Sequence, residues 1–156
     1  MNDQIKIIKL PAMHVACARA FSTTPEKEAI EKLMTWAKQK DILHKPHRFF
    51  GYNVPGSLKE GQAEYGYEVV ITVEPGVQAD GEISIKELPA ARYAVASVCG
   101  VDHITSGWQD LMAWIEKSPY TADPSIQCLE EHLSPVGASD DQFRLDLFEP
   151  LLDDRG

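Results

Sequence analysis

An internal repeat is the feature of this sequence that most constrains its fold. Three short motifs recur at a constant offset of 78 residues. They are Leu-Pro-Ala at 10–12 and 88–90, LMTW at 33–36 with LMAW at 111–114, and the prolines Pro46 and Pro124. Residues 10–38 and 88–116 share eight identical positions, whereas average composition would give roughly two. The sequence therefore predicts two copies of one structural unit.

Each copy has the same predicted order of secondary structure. Two short β-prone stretches flank a proline, a helix follows, and two further strands come after the helix. The stretches beside the prolines are 5–10 with 14–21 and 83–88 with 92–98, and the later strands are 48–54, 65–73, 126–133 and 142–149. The pattern is β-β-α-β-β twice, where the first two strands of a copy are either separate or one strand bent at its proline.

Each predicted helix has one apolar face. In the first helix Thr24 is a suitable N-cap and Pro25 fits the first helical position, while Glu26 and Glu28 suit the positive end of the helix dipole. The apolar faces consist of Ile30, Leu33, Met34 and Ala37 in the first helix, and Ile104, Trp108, Leu111, Met112 and Ile115 in the second.

These elements predict one domain over residues 1–156 with an α+β fold. Repeat one covers about residues 4–75 and repeat two about 82–150, joined by a linker rich in turn residues. Neither repeat has enough core alone. We therefore expect two βαββ units in a pseudo-twofold arrangement, forming an antiparallel sheet with both helices on one face. The other face would contain a cleft for a small ligand.

Alternation of side chains along a strand predicts which residues face this cleft. In repeat two a helix would cover Leu129 and Leu133, which leaves Cys128, Glu130 and His132 on the cleft side.

In repeat one the same argument places Glu68 on the cleft side. The helix would cover Val69, Ile71 and Val73, while Val70 and Thr72 lie with Glu68. Each repeat thus contributes one acid to the cleft, Glu130 and Glu68.

A carboxylate in an apolar, aromatic hollow either takes up a proton or pairs with a cation. A lipophilic cation gains charge pairing and aromatic contact there, with Tyr65, Tyr67, Tyr93 and Trp108 as candidate walls. The alternative is that Glu130 and the adjacent Glu131 lie on a solvated edge strand.

Two further residues near Glu130 could take part in chemistry. His132 has an ordinary pKa suited to a general base or proton shuttle, although a solvated or core-edge histidine is the alternative. Cys128 is disfavoured as a nucleophile, because the two nearby glutamates oppose a lowered thiol pKa.

Composition and charge narrow the possible functions. The net charge of -9 argues against direct binding of nucleic acid, which needs clustered Lys and Arg. No apolar run has membrane-spanning length and no signal-peptide core is present, so we expect no membrane association and a cytoplasmic location. The three cysteines are expected to be reduced. His44 and His47 have no matched second ligand pair, so we expect no metal. The sequence has no Gly-rich phosphate loop, and we expect no cofactor.

Several motifs of this chain resemble the GyrI-like small-molecule-binding domain. They are YGYEVVITV (65–73), QCLEEHLSP (127–135), the two Leu-Pro-Ala strands and the helix around LMAWIEKSPY (111–120). The resemblance covers roughly residues 4–150 and implies a pair of βαββ units. It also implies that Glu130 corresponds to a cavity glutamate that pairs with cationic drugs in multidrug-responsive transcription activators.

Family members similar to this chain include stand-alone proteins, and some are reported to hydrolyse cyclopropane-bearing, DNA-alkylating toxins. Glu130 would be the catalytic residue of such an enzyme. This chain has Cys128 and Val69-Val70 where aromatic residues are often found in the family.

Three functions are compatible with these observations. The first is a stand-alone binding module for amphipathic, cationic small molecules. The second is a hydrolase that uses a carboxylate on a reactive electrophile. The third is a protein-interaction role of the acidic surface. The sequence leaves the oligomeric state open.

Overall fold

A computed structural model describes residues 5–54, 61–133, 139 and 142–152, which form strands and two α-helices. The elements are β1 (Lys6–Leu10), β2 (Met13–Ser22), α1 (Pro25–Gln39), β3 (Phe49–Asn53), β4 (Tyr65–Thr72), β5 (Ser84–Leu88), β6 (Ala91–Cys99), α2 (Ile104–Glu116), β7 (Leu129–His132) and β8 (Arg144–Leu151). The paired strands β1–β6, β6–β8, β7–β8, β2–β4, β2–β5 and β3–β4 are all antiparallel, so the predicted α+β fold is confirmed.

The chain divides into two compact units at its two Leu-Pro-Ala motifs. The central unit is Ala12–Leu88, and the terminal unit combines Met1–Pro11 with Pro89–Gly156. The strands beside each proline are therefore separate: β1 pairs with β6 in the terminal unit, whereas β2 pairs with β4 and β5 in the central unit. The alternative of one strand bent at its proline is wrong. Two-copy duplication itself stays a prediction.

The central unit is a four-stranded sheet, in the order β3-β4-β2-β5, covered on one face by α1. Small side chains at Ala16, Ala18 and Ala20 of β2 face the helix and permit close packing against Leu33 and Trp36, which are almost fully buried. Helix α1 begins at Pro25 with Thr24 at the N-cap position, as predicted, although the Thr24 side chain makes no capping hydrogen bond.

The terminal unit is a four-stranded sheet, in the order β1-β6-β8-β7, covered on one face by α2. Leu111 and Ile115 of α2 are buried against Leu145 and Leu147 of β8. Close approach is needed at Gly107, where a Cβ would lie 2.6 Å from a methyl group of Val98.

The apolar face predicted for α2 is narrower than the sequence suggests. The helical pattern places Met112 in that face, but the residue is 38% exposed. Neither helix has the length and apolar character needed to cross a bilayer, within the part of the chain that the structure describes.

Candidate functional site

In each unit, the sheet face turned away from the unit's own helix carries the acidic and aromatic side chains of interest. We call this the far face. In the central unit it includes Arg19, Phe21, Tyr52, Glu68 and Lys86, and in the terminal unit it includes Tyr93, Leu129, Glu131, Asp146 and Phe148. Strand register sets both groups, because residues directly opposite in neighbouring strands share a face.

Glu68 is the centre of the central far face. It lies directly opposite Arg19 on β2 and Tyr52 on β3. The Arg19 guanidinium donates to Glu68 Oε1 from Nε at 2.9 Å and from Nη2 at 2.5 Å, and the Tyr52 hydroxyl donates to Oε2 at 2.6 Å. The Lys86 ammonium also donates to Oε2. Glu68 is 2% exposed, so the sheet holds a buried carboxylate between two cations.

Charge and hydrogen bonding keep Glu68 ionised. Burial alone would raise the pKa of Glu68, but hydrogen bonds donated by Lys86, Tyr52 and Arg19 outweigh it and hold that pKa below its ordinary value. The same environment raises the pKa of Tyr52, mainly through burial and its bond to Glu68. Burial raises the pKa of the nearby Cys17 thiol to about 11. Cys17 and Tyr52 are therefore neutral at pH 7.

Phe21 forms an apolar border to this cluster. It lies opposite Gly66 on the far face, and a Cβ on Gly66 would lie 2.4 Å from the Phe21 ring. The ring thus rests on the bare backbone of Gly66. Phe21 is nevertheless 59% exposed.

The terminal far face pairs two acids beside two aromatic rings. Glu131 of β7 lies directly opposite Asp146 of β8, and Leu129 lies opposite Phe148. Tyr93 packs edge-on against Phe148 with ring centroids 5.5 Å apart. Glu131 is 8% exposed and both rings are buried, while Asp146 is half-buried and accepts a 2.6 Å hydrogen bond from the exposed Ser97 hydroxyl. Opposed carboxylates repel each other, so the register brings like charges together at this position.

Glu130 and His132 lie on the other face of β7, against the helix. Glu130 is opposite Leu147 and His132 is opposite Leu145, and both leucines belong to the core under α2. Glu130 accepts a 3.1 Å hydrogen bond from Trp108 Nε1 on α2. The expected orientation of β7, with Glu130 and His132 turned away from the helix, is therefore wrong.

The error has a physical origin in the strand's composition. Both faces of β7 carry one acid with one less polar residue, so alternation alone cannot choose between them. Leu129 packs on the far face, and Leu133, expected under the helix, is 44% exposed. In β4 the expectation is correct, since Val69 and Ile71 lie in the core under α1 and Glu68 lies on the far face.

The predicted aromatic walls are divided between different surroundings. Tyr93 lies on the terminal far face, as above. Tyr67 is buried in the core under α1, and the Tyr65 hydroxyl donates to the Glu26 carboxylate of α1 at 2.7 Å. Trp108 bonds Glu130. The described contacts thus bring Trp108 and Glu130 together, but join neither Tyr65 nor Tyr67 to Glu68.

His132 and Cys128 are both held in neutral form. Burial lowers the pKa of His132 to about 4, and its ring packs edge-on against Phe143 at 5.6 Å. Burial, reinforced by the charges of Glu149 and Glu130, raises the pKa of Cys128 to about 11. A protonated thiol is a poor nucleophile.

Two adjoining cavities of the central unit are lined mainly by residues that follow α1 and β4. Each has a volume of about 430 Å³, and they share Ile42, Lys45 and Val77. Their rims carry long ion pairs, Lys45 to Glu74 at 3.9 Å and Lys40 to Asp80 at 3.6 Å. All four of these side chains are at least 45% exposed, so solvent weakens their pull on a ligand.

Local sequence pattern does not identify most members of the two far faces. Asp146 and Phe148 lie in a predicted strand without a motif that assigns them a role, and the sequence suggests only a solvated edge position for Glu131. Arg19, Tyr52 and Lys86 belong to no motif. The signal that could have found them is register: once β2, β3 and β4 are aligned, Arg19 and Tyr52 are the residues opposite Glu68.

Solved structures of the same fold include EcmrR, which has been solved in complex with DNA, and a hydrolase. The C-terminal domain of EcmrR aligns with a TM-score of 0.71 at 17% identity, covering 96% of this chain and 97% of that one. In the EcmrR–DNA complex, this chain spans 57% of the EcmrR chain, at TM-score 0.70 and 17% identity, with 95% of this chain covered.

Two further structures are similar at lower identity. A hydrolase from Listeria innocua aligns with a TM-score of 0.69 at 9% identity, covering 97% of this chain and 93% of that one. SAV2435 bound to tetraphenylphosphonium aligns with a TM-score of 0.57 at 9% identity, covering 96% and 94%. These likenesses show the fold.

The family is shown by sequence. No curated protein matches the chain. The model of the GyrI-like small molecule binding domain matches residues 3–148, so this protein belongs to the GyrI-like small-molecule-binding domain family.

Proposed function

We propose that this protein binds an apolar organic cation on the far face of its terminal unit. The observation that carries the proposal is the β7–β8 register, which sets Glu131 directly opposite Asp146. Tyr93 and Phe148 lie on the same face, and both rings are buried there. Carboxylates attract the charge, and aromatic rings favour a cation with bulky apolar substituents.

Burial makes this negative charge more effective. Glu131 is 8% exposed, and charge pairing strengthens as water is excluded. Lys6 and Arg144, at the first positions of β1 and β8, lie on the same face and are exposed. Burial raises the pKa of Tyr93 further above neutrality, so its hydroxyl adds no further negative charge to the two carboxylates.

Tetraphenylphosphonium is a suitable probe, since it carries one delocalised charge and four phenyl rings. Calorimetric titration of Glu131→Gln should show affinity weakened about tenfold or more, the loss expected for one charge pair in a partly buried site. Glu130→Gln is the matched control, because Glu130 lies on the opposite face of the same strand. Neutral triphenylphosphine oxide should bind both variants and the wild type alike.

The outcome decides which glutamate acts. Loss of tetraphenylphosphonium affinity in Glu130→Gln, with Glu131→Gln unchanged, would overturn the proposal and support the residue that the family resemblance favours. Equal losses for the cation and the neutral probe would show that only apolar contact matters.

A second candidate function is hydrolysis of a strained, ring-bearing electrophile. The specific observation in its favour is the same opposed pair, Glu131 and Asp146, since a positioned carboxylate can act as a general base toward water. One carboxylate would accept a proton from water as the water oxygen bonds to a ring carbon. The breaking carbon–carbon bond would then pass its electron pair to a conjugated carbonyl. Turnover lost in Glu131→Gln and retained in Glu130→Gln would support the hydrolase.

A further inference from the structure

The central far face carries an excess of positive charge on an acidic protein. Within its four strands, this face has one carboxylate, Glu68, and two cations, Arg19 and Lys86. The whole chain has a net charge of -9. One cation would neutralise Glu68, so the second leaves a local surplus of one positive charge.

Glu68 fixes both cations in place. Arg19 binds one carboxylate oxygen and Lys86 binds the other, and the Lys86 ammonium also lies 5.5 Å from the centre of the Tyr52 ring. The two cationic groups are therefore held near one another despite their repulsion. Because both side chains are already ordered, binding a ligand to them costs less conformational entropy than binding it to two mobile side chains.

Both cations still have donors that can reach a ligand. Among the described residues, Arg19 directs two of its five N–H donors at Glu68, and Lys86 directs one of three. The Arg19 side chain is 51% exposed and the Lys86 side chain 40% exposed, although Glu68 itself is buried. The charge that faces solvent is thus positive, and the negative charge is beneath it.

Phe21 adds apolar surface to the same place. It is two residues from Arg19 on β2, on the same face, and it is 59% exposed. Its ring is supported by Gly66, opposite it on β4. An exposed aromatic ring beside two fixed cations suits a ligand that combines an anion with an apolar ring.

We propose that the far face of the central unit binds an aromatic organic anion, such as a carboxylate or sulfonate, through Arg19, Lys86 and Phe21. Glu68 is the positioning residue of this site, and does not touch the ligand. The proposal is independent of cation binding in the terminal unit, because it uses different residues and the opposite ligand charge.

The test uses 8-anilinonaphthalene-1-sulfonate, an aromatic sulfonate whose fluorescence rises on binding. In the full-length protein, Arg19→Gln and Lys86→Gln should each weaken its binding about fivefold, since each removes one charge-assisted contact. Lys38→Gln, which removes an exposed cation from the last turn of α1, should leave binding unchanged. N-phenyl-1-naphthylamine, a neutral analogue, should bind all four proteins equally.

A wild-type measurement covers the case in which a variant unfolds. Acetylation of the protein by acetic anhydride, followed by mass spectrometry, should show Lys86 protected several-fold by the saturating sulfonate and Lys38 unprotected. Equal acetylation of Lys86 with and without the sulfonate would overturn the proposal. The proposal would also be overturned if Arg19→Gln and Lys86→Gln fold normally and bind the sulfonate like wild type. The same holds if these variants lose affinity for the neutral analogue as much as for the sulfonate.

Discussion

The two far faces differ in the residue that lies opposite their central acid on the neighbouring strand. In the central unit, Glu68 lies opposite Arg19 across β2 and β4, and the pair forms an ion bridge. In the terminal unit, Asp146 lies opposite Ser97 across β6 and β8, and the serine hydroxyl donates only a neutral hydrogen bond. Arg19 and Ser97 are 78 residues apart, the offset of the sequence repeat.

The third strand of each sheet extends this contrast. Tyr52 stands opposite Glu68 and donates to it, whereas Glu131 stands opposite Asp146 and adds a second acid. The central unit thus places donors from Arg19, Tyr52 and Lys86 around Glu68. In the terminal unit, the same register brings together two like charges. We infer from the comparison that a ligand cation suits the terminal far face, while the central one offers outward-facing cations.

The largest expected effect concerns the helix side of β7, where neutral His132 is buried. Its pKa of about 4 lies below the ordinary 6.5. As the pH falls, His132 is therefore protonated at a higher pH in the unfolded chain than in the folded protein. The stability that His132 contributes is complete above pH 6.5 and is lost as the pH falls toward 4, by about 2 kcal/mol at pH 5 and on the order of 3 kcal/mol below pH 4.

Urea unfolding at pH 7.5 and pH 5 checks this dependence. His132→Phe keeps an aromatic ring against Phe143 and cannot titrate, so its stability should fall less than that of wild type between the two pH values. An identical loss in both proteins would show that His132 is not protected from protonation.

The next effect separates the acids of the two far faces. Glu68→Gln removes the partner of two cations and should lower the free energy of unfolding by about 2 kcal/mol at pH 7. Glu131→Gln removes one of two opposed acids and should change it by less than about 1 kcal/mol. The exposed Glu87 of β5 provides a control, because Glu87→Gln should have almost no effect.

The same comparison has a pH signature. The lowered pKa of Glu68 means that its contribution is present above the ordinary value of 4.5 and is lost as the pH falls below it. The difference between wild type and Glu68→Gln should therefore shrink below about pH 4.5. A difference that does not shrink at all between pH 4.5 and the pH at which the proteins unfold would show that packing, and not charge, accounts for the loss.

The elements of the fold were largely predictable, and the faces were predictable in one unit only. Pro25 after Thr24 marked the start of α1, and the alternation of Val69 and Ile71 with Glu68 gave the faces of β4. In β7, each face of Leu129-Glu130-Glu131-His132 has one acid and one less polar residue. Only the pairing of β7 with β8 decides which face lies against the helix. Partners such as β1 with β6 depend on contacts between residues far apart in sequence, which local pattern does not encode.

The smallest expected effect concerns the apolar border of the central far face. Gly66→Ala places a methyl group 2.4 Å from the Phe21 ring, but that ring is mostly exposed and can move. The cost in unfolding free energy should therefore be below about 1 kcal/mol. The displaced ring should weaken binding of the anilinonaphthalene sulfonate two- to threefold, because the loss concerns apolar contact with both cations intact. Tetraphenylphosphonium affinity should not change, since its proposed site belongs to the other far face; a parallel loss of both ligands would mean that the two faces do not act as separate sites.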